Sequence, residues 1–201
     1  MQICTESKSC YEYKIKITGK SCHSSMPSNG INANYLGARI MLYIEKLCKQ
    51  FKDTTLSANL ISGGDKINII PQKCEVSFDL RSWGNNNANF LMQKLNKYIR
   101  DLEKKYNGCS IEIQNTLAIL PTIKKDSDLV KNLITNFDLK ESQFVGGCEA
   151  GYYQALGGDA IVFGVGDLEL AHKPNEYVNI FEFEKFNQLL LSILKFADKT
   201  N

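Results

Sequence analysis

From Tyr11 to Thr18 the chain alternates without a break, with Tyr11, Tyr13, Ile15 and Ile17 on one side and Glu12, Lys14, Lys16 and Thr18 on the other. A period of two marks a half-buried strand. The period then lengthens: Leu36, Ile40, Ile44, Leu47 and Phe51 recur every three or four positions between Asn32 and Phe51, the stripe of a helix lying on a sheet. Two strands follow, Leu56 to Ile61 and Cys74 to Ser82, joined through the turn Ser62-Gly63-Gly64-Asp65. In the second, Cys74, Val76, Phe78 and Leu80 point inward and Glu75, Ser77, Asp79 and Arg81 outward. A helix from about Asn87 to Tyr106 carries Leu91, Leu95, Tyr98, Leu102 and Tyr106 on one face and stops at Asn107-Gly108. Ser110 to Gln114 is a last strand. This order predicts a ferredoxin-like βαββαβ sandwich over residues 11–118, an antiparallel sheet with two helices on one face.

Pro121 marks a change of texture. Beyond it the pattern predicts a helix from about Asp126 to Asn136, a short strand around Gln143 to Val145, a helix opening after Gly146-Gly147, and a strand from Asp159 to Phe163. The run Ala160-Ile161-Val162-Phe163 is apolar without alternation, as suits a strand covered on both faces. A terminal helix is expected from about Phe181 to Phe196, with Asn179 as cap and Glu182 three residues on. Two strands and three helices in residues 119–201 are too few to close a doubly covered α/β sheet, so this second unit reads as incomplete. Met1 to Cys10, a polar stretch, reads as a residual upstream segment.

A net charge of +2 over 201 residues leaves no basic footprint for phosphate or anionic lipid, so neither nucleic acid nor membrane is an expected partner. No apolar stretch nears the roughly 20 residues of a bilayer span. Seven cysteines, an odd number without a CxxC pair, fit neither a disulfide framework nor a zinc cluster and read as core filler in a reducing cytoplasm.

The chain has two histidines, and acid–base or metal chemistry must run through them or through carboxylates. His23 follows the first strand, in Gly19-Lys20-Ser21-Cys22-His23-Ser24-Ser25. The adjacent Ser24 does not make a nucleophile–base pair with it, because sequence neighbours rarely face each other. His172 lies in Ala171-His172-Lys173-Pro174-Asn175-Glu176-Tyr177, beyond the C-terminal end of the predicted buried strand, where ligand sites form in α/β sheets. Taken alone, each polar residue has an ordinary structural reading. Arg81 is an outward strand charge, Asn68 a turn former and Glu149 a carboxylate at a helix start.

Four segments in register alter that balance: Gly19 to Gly30 with Asn32-Ala33; Gly63-Gly64 through Asn68-Ile69-Ile70-Pro71 to Asp79-Leu80-Arg81; Gly146 to Gln154; and Phe163-Gly164-Val165-Gly166 with the His172 loop. Together they resemble the C-terminal signatures of the M20 family of zinc-dependent peptidases and deacylases, in its acetylornithine deacetylase branch. The resemblance implies that the ferredoxin-like unit is a lid and dimerisation domain, and that residues 119–201 are the C-terminal part of a zinc aminopeptidase-like catalytic domain. It implies His172 as a zinc ligand, and His23 as a donor reaching across a homodimer to the oxyanion of the tetrahedral intermediate. Asn68 and Arg81 would bind the carboxylate of an N-acyl amino acid substrate, Gly164 and Gly166 would let backbone approach it, and Glu149 would line its pocket. Desuccinylases and many peptidases of the family carry Ser/Thr-Asp where this chain has Glu149-Ala150.

A two-zinc hydrolase needs five or six ligands and a general base, of which the resemblance places one here. The others precede the lid in the family, and Glu6 lies too close to Tyr11 to stand in for one of them. The expectation is a chain inactive alone, which a separate N-terminal half chain could complement. The competing expectation is a non-catalytic module that dimerises or binds a small molecule. An RNA-binding ferredoxin-like domain is disfavoured, since the Lys/Arg-Gly-aromatic pattern and a basic face are missing.

Overall fold

The computed structural model describes residues 1–124 and 126–200. In chain order its elements are β1 (Gln2–Ser7), β2 (Cys10–Thr18), β3 (Cys22–His23), α1 (Ala33–Cys48), β4 (Thr54–Gly63), β5 (Ile69–Ile70), β6 (Lys73–Ser82), α2 (Asn86–Lys105), β7 (Ser110–Ile119), α3 (Asp128–Phe137), β8 (Lys140–Phe144), α4 (Ala150–Ala155) and α5 (Ile180–Thr200). Four strands form an antiparallel sheet in the order β4-β6-β2-β7. Strand β2 thus lies between β6 and β7, while β4 and β6 pair directly, as a ferredoxin-like sandwich requires. Register runs from Tyr11↔Leu80 to Thr18↔Lys73 on one side of β2 and from Cys10↔Ile119 to Thr18↔Ser110 on the other.

The alternation read from the sequence determines which face is covered. Ile15 and Ile17 of β2, Val76, Phe78 and Leu80 of β6, and Leu56 of β4 are buried against Leu36, Ile40, Ile44 and Leu47 of α1 and Leu91, Leu95, Ile99 and Leu102 of α2. Helix α1 begins where Asn32 supplies a side-chain acceptor to the amides of Asn34 and Tyr35, satisfying donors that have no intrahelical partner. Helix α2 ends before Gly108, whose φ of +97° suits glycine. The two helices meet through Tyr43 stacked on Tyr98, with centroids 3.9 Å apart. Strand β7 runs to Ile119, well past the expected Gln114, because β2 itself continues to Cys10 and offers ladder partners along that length.

The second unit contains a strand that the sequence hid. Met1 to Cys10, expected as a residual segment, holds β1, which pairs in parallel with β8 from Gln2↔Lys140 to Ser7↔Phe144. Ile3 of β1 is fully buried with Leu133 and Leu139, and Val130, Phe137, Ile161, Phe163, Leu189 and Ile193 pack around them from α3, α5 and the 160s. The predicted strand from Asp159 to Phe163 is reduced to one bridge, Val162 to Cys4, through a pair of 2.8 Å hydrogen bonds. The terminal helix starts at Ile180, with Asn179 accepting from the amide of Phe181.

Between the units lies a narrow neck. Ser7 pairs with Thr122 through backbone and side chain, the two hydroxyls 2.8 Å apart. Ser9 and Ser82 exchange bonds of 2.9–3.2 Å, and Lys8 lies over the Trp83 ring. Among the described residues no helix is long and apolar enough to cross a membrane.

Candidate functional site

At the Thr18 end of β2 the ladder narrows and turns into two short strands. Gly19 donates to the carbonyl of Gln72 at 2.7 Å, and Lys20 and Ile31 exchange bonds of 2.9 Å. A Cβ on Gly19 would stand 2.2 Å from the Ile31 oxygen, so only glycine permits this approach. Strand β3 then pairs with β5, Cys22 with Ile70 and His23 with Ile69, and the amide of Ser24 donates to the carbonyl of Asn68 at 3.0 Å. The ladder brings His23 and Asn68, 45 residues apart in sequence, to one exposed tip. The turn after His23 is pinned as well: His23 Nδ1 lies 3.2 Å from the amide nitrogen of Ser25 and 2.8 Å from its hydroxyl. Hollows of about 850 and 1020 Å³ flank the hairpin that carries Asn68; Arg39 faces the first, Lys16 and Lys73 the second, and Lys66 both.

Arg81 lies elsewhere. It is at the far end of β6, beside the neck, where its Nε donates to both carboxylate oxygens of Asp79 at 3.0 and 3.3 Å. That hydrogen bond is the main reason its guanidinium is held more firmly protonated. Lys73 and Arg81 are eight steps apart along the strand, about 26 Å at the usual rise, and Asn68 lies beyond the Lys73 end. The expected joint grip of Asn68 and Arg81 on one carboxylate cannot be made within a single chain. The buried Cys10 also turns its thiol to Asp79 at 3.5 Å, and burial pushes that thiol's pKa up.

The remaining candidates belong to the second unit. His172 is exposed in a left-handed conformation, φ +61°, and its amide donates to Glu176 at 3.2 Å. A non-glycine residue held there is strained, a condition common at functional loops. A cavity of about 410 Å³ gathers Gly166, Ala171, Glu176, Tyr177 and Val178 around Phe144 at the end of β8. Gly166 has φ +102° and needs glycine for its backbone. Gly164 is different: a Cβ there would meet nothing within 4 Å, so packing within this chain does not explain it. Glu149 is exposed at the start of α4, makes no capping bond and does not line the cavity.

These donors do not fit a two-zinc centre. Among the described residues the one convergence of three possible ligand atoms is Cys10, Glu12 and Asp79, within 4.8 Å of one another, at the Arg81 end and without a histidine. His172 belongs to no such set.

Ser25 escaped the sequence reading. Its only signal was its place two residues after His23, and a serine there is unremarkable until the turn is seen.

A ferredoxin-like sandwich inserted beside an α/β unit, with an exposed histidine and asparagine at its tip, defines a class, and the comparisons give it a family. Residues 5–107 match the model of the peptidase dimerisation domain, and the chain belongs to the M20 peptidase family. An uncharacterised metallohydrolase of Methanococcus maripaludis is 32% identical, the alignment covering 90% of this chain and 51% of that protein. The acetylornithine deacetylase of Pasteurella multocida is 28% identical, over 90% of this chain and 50% of its own length. In structure the chain is similar to a tripeptidase from Staphylococcus aureus, with TM-score 0.81 at 19% identity over 98% of this chain and 54% of that one. The chain spans about half the length of the relatives it matches.

Proposed function

We propose that the chain forms the lid and C-terminal part of a zinc-dependent amidohydrolase that removes the acyl group from an N-acyl amino acid, with N-acetylornithine as substrate and arginine biosynthesis as setting. The observation that carries this reading is the β3–β5 ladder, which holds His23 and Asn68 together on a rigid exposed tip. In this reading residues 11–118 are the lid and 119–201 belong to the catalytic unit. Deacetylases among the relatives support the substrate class, and seven free cysteines suit a reducing cytoplasm.

The roles follow from placement. His23 donates to the oxyanion that develops as the amide carbonyl becomes tetrahedral, and Asn68 beside it orients the substrate. Both are exposed at the tip and neither lines the cavity near His172, so in this reading they act on a substrate held by a second protomer. A homodimer through the lid fits the outer edge of β4, where Leu60 is 67% exposed, and Leu42 of α1, 66% exposed. Gly164 leaves room for substrate backbone, Glu149, outside the cavity within this chain, lines the substrate pocket of the assembled enzyme, and Arg81, tied to Asp79, meets the substrate carboxylate across the dimer. His172 would give zinc one neutral imidazole nitrogen. The other ligands and the base come from polypeptide outside these residues. The exposed Ile180, Phe181, Leu191 and Leu194 of α5 are a surface for such a half to cover.

Metal analysis and an N-acetylornithine hydrolysis assay test the reading. The chain alone should hold fewer than two zinc ions and show no turnover. Supplied with the zinc-binding half of a relative, it should hydrolyse the substrate, and His23→Ala should then lower kcat by about 10²–10³-fold, the usual effect of losing one oxyanion donor. Turnover by the chain alone, or an unchanged kcat in His23→Ala, would refute it. Dimerisation without reconstituted activity would favour the non-catalytic module.

A further inference from the structure

We propose that Ser25 is a positioning residue that locks His23 as the tautomer protonated on Nε2. A neutral imidazole has one N–H and one lone pair, and which nitrogen holds which decides what the ring can do. A backbone amide can only donate. The amide of Ser25 is directed at His23 Nδ1 at 3.2 Å, so that nitrogen is the acceptor; the Ser25 hydroxyl, 2.8 Å away, is a second donor to the same atom. The proton of the neutral ring therefore sits on Nε2, its one remaining donor.

The turn has little freedom to relax out of this arrangement. Three consecutive amides are committed: Ser24 to the carbonyl of Asn68 at 3.0 Å, Ser25 to the ring of His23, and Met26 to the carbonyl of His23 at 2.9 Å. The thiol of Cys22 closes the turn onto the Met26 carbonyl at 3.3 Å. His23 thus presents an oriented N–H before any substrate arrives, which is what stabilising a developing oxyanion requires. The lock stands on geometry alone, while its use in hydrolysis rests on the function proposed above.

With two histidines in the chain, His172→Gln leaves His23 as the only imidazole. Long-range ¹H–¹⁵N correlation at pH 8 then reads its tautomer directly. The expected result is a ring protonated on Nε2. Ser25→Ala should move the tautomer ratio toward Nδ1–H by about fivefold, the effect of one net hydrogen bond, and Ser25→Thr should restore it. A ring protonated mainly on Nδ1 overturns the lock, and a ratio unmoved by Ser25→Ala overturns the part assigned to the Ser25 side chain. In the reconstituted enzyme, with His172 intact, Ser25→Ala should lower kcat with KM unchanged, and Ser25→Thr should recover it. A locked ring with unchanged kcat overturns the positioning role, whereas a silent His23→Ala overturns the function on which that role rests.

Discussion

Gly151 shows how much a single hydrogen atom can decide. It lies in α4, where a Cβ would fall 2.1 Å from the carbonyl oxygen of Leu120 and 3.0 Å from that of Pro121. These are backbone atoms, which cannot swing aside as a side chain could. Gly151→Ala should therefore destabilise the protein by about 1–3 kcal/mol, seen as a lowered urea midpoint, whereas Gly164→Ala, with open space around it, should leave the midpoint unchanged. The glycines of the Gly146–Gln154 motif were legible as glycines, but their reasons were not. Gly147 is required because a Cβ would lie 2.6 Å from that of Cys10, a neighbour 137 residues away in sequence that no local pattern reveals. Asn32 shows the same limit, since it stood out only as part of a motif while its side chain caps α1.

At the scale of elements, periodicity exposed the sandwich because each of its strands has one dry and one wet face. It missed β1 because that strand buries polar residues. Thr5 and Ser7 are 5% and 0% exposed, and each has a hydrogen-bond partner that removes the usual cost of burial: Thr5 donates to Glu141 at 3.0 Å and Ser7 to Thr122 at 2.8 Å. Sequence polarity therefore read as solvent contact. The predicted strand near Val162 failed for the opposite reason, its apolar run being used for packing beside β1 more than for pairing. The β1–β8 pair also carries an acid-sensitive contact: Lys124, then Thr5, hydrogen-bond Glu141 and hold its carboxyl below the usual carboxylate range. A lowered folded-state pKa gives stability that is present above the ordinary value of about 4.3 and lost as pH falls through the lower one. The melting temperature of the wild type should thus exceed that of Glu141→Gln at pH 7, and the two should converge as pH falls toward 3. Curves that stay parallel would rule the contact out.

For the whole molecule, the sheet order was legible from the order of strands and helices, because handedness and short connections leave few ways to arrange them. The candidate site was legible only in pieces. Which pieces meet depends on the β3–β5 ladder, two residues long on each side and too short to leave a pattern. Assembly is read from what remains uncovered. Strand β4 presents an unpaired edge with Leu60 and Ile61 exposed, and such edges seek another strand. Sedimentation should show a dimer, and Leu60→Lys should weaken it by about tenfold or more; an unaltered association constant would place the contact elsewhere.

The neck has a mechanical consequence. Because the chain leaves the α/β unit through Lys8 and Ser9 and comes back through Leu120 and Pro121, the sandwich hangs from two antiparallel lengths of backbone fastened together at Ser7 and Thr122. A single tether would let it swivel in any direction. A doubled one resists torsion, and with Gly147 against Cys10 and Gly151 against Leu120 beside it, it restrains how far the tip bearing His23 can turn about the neck.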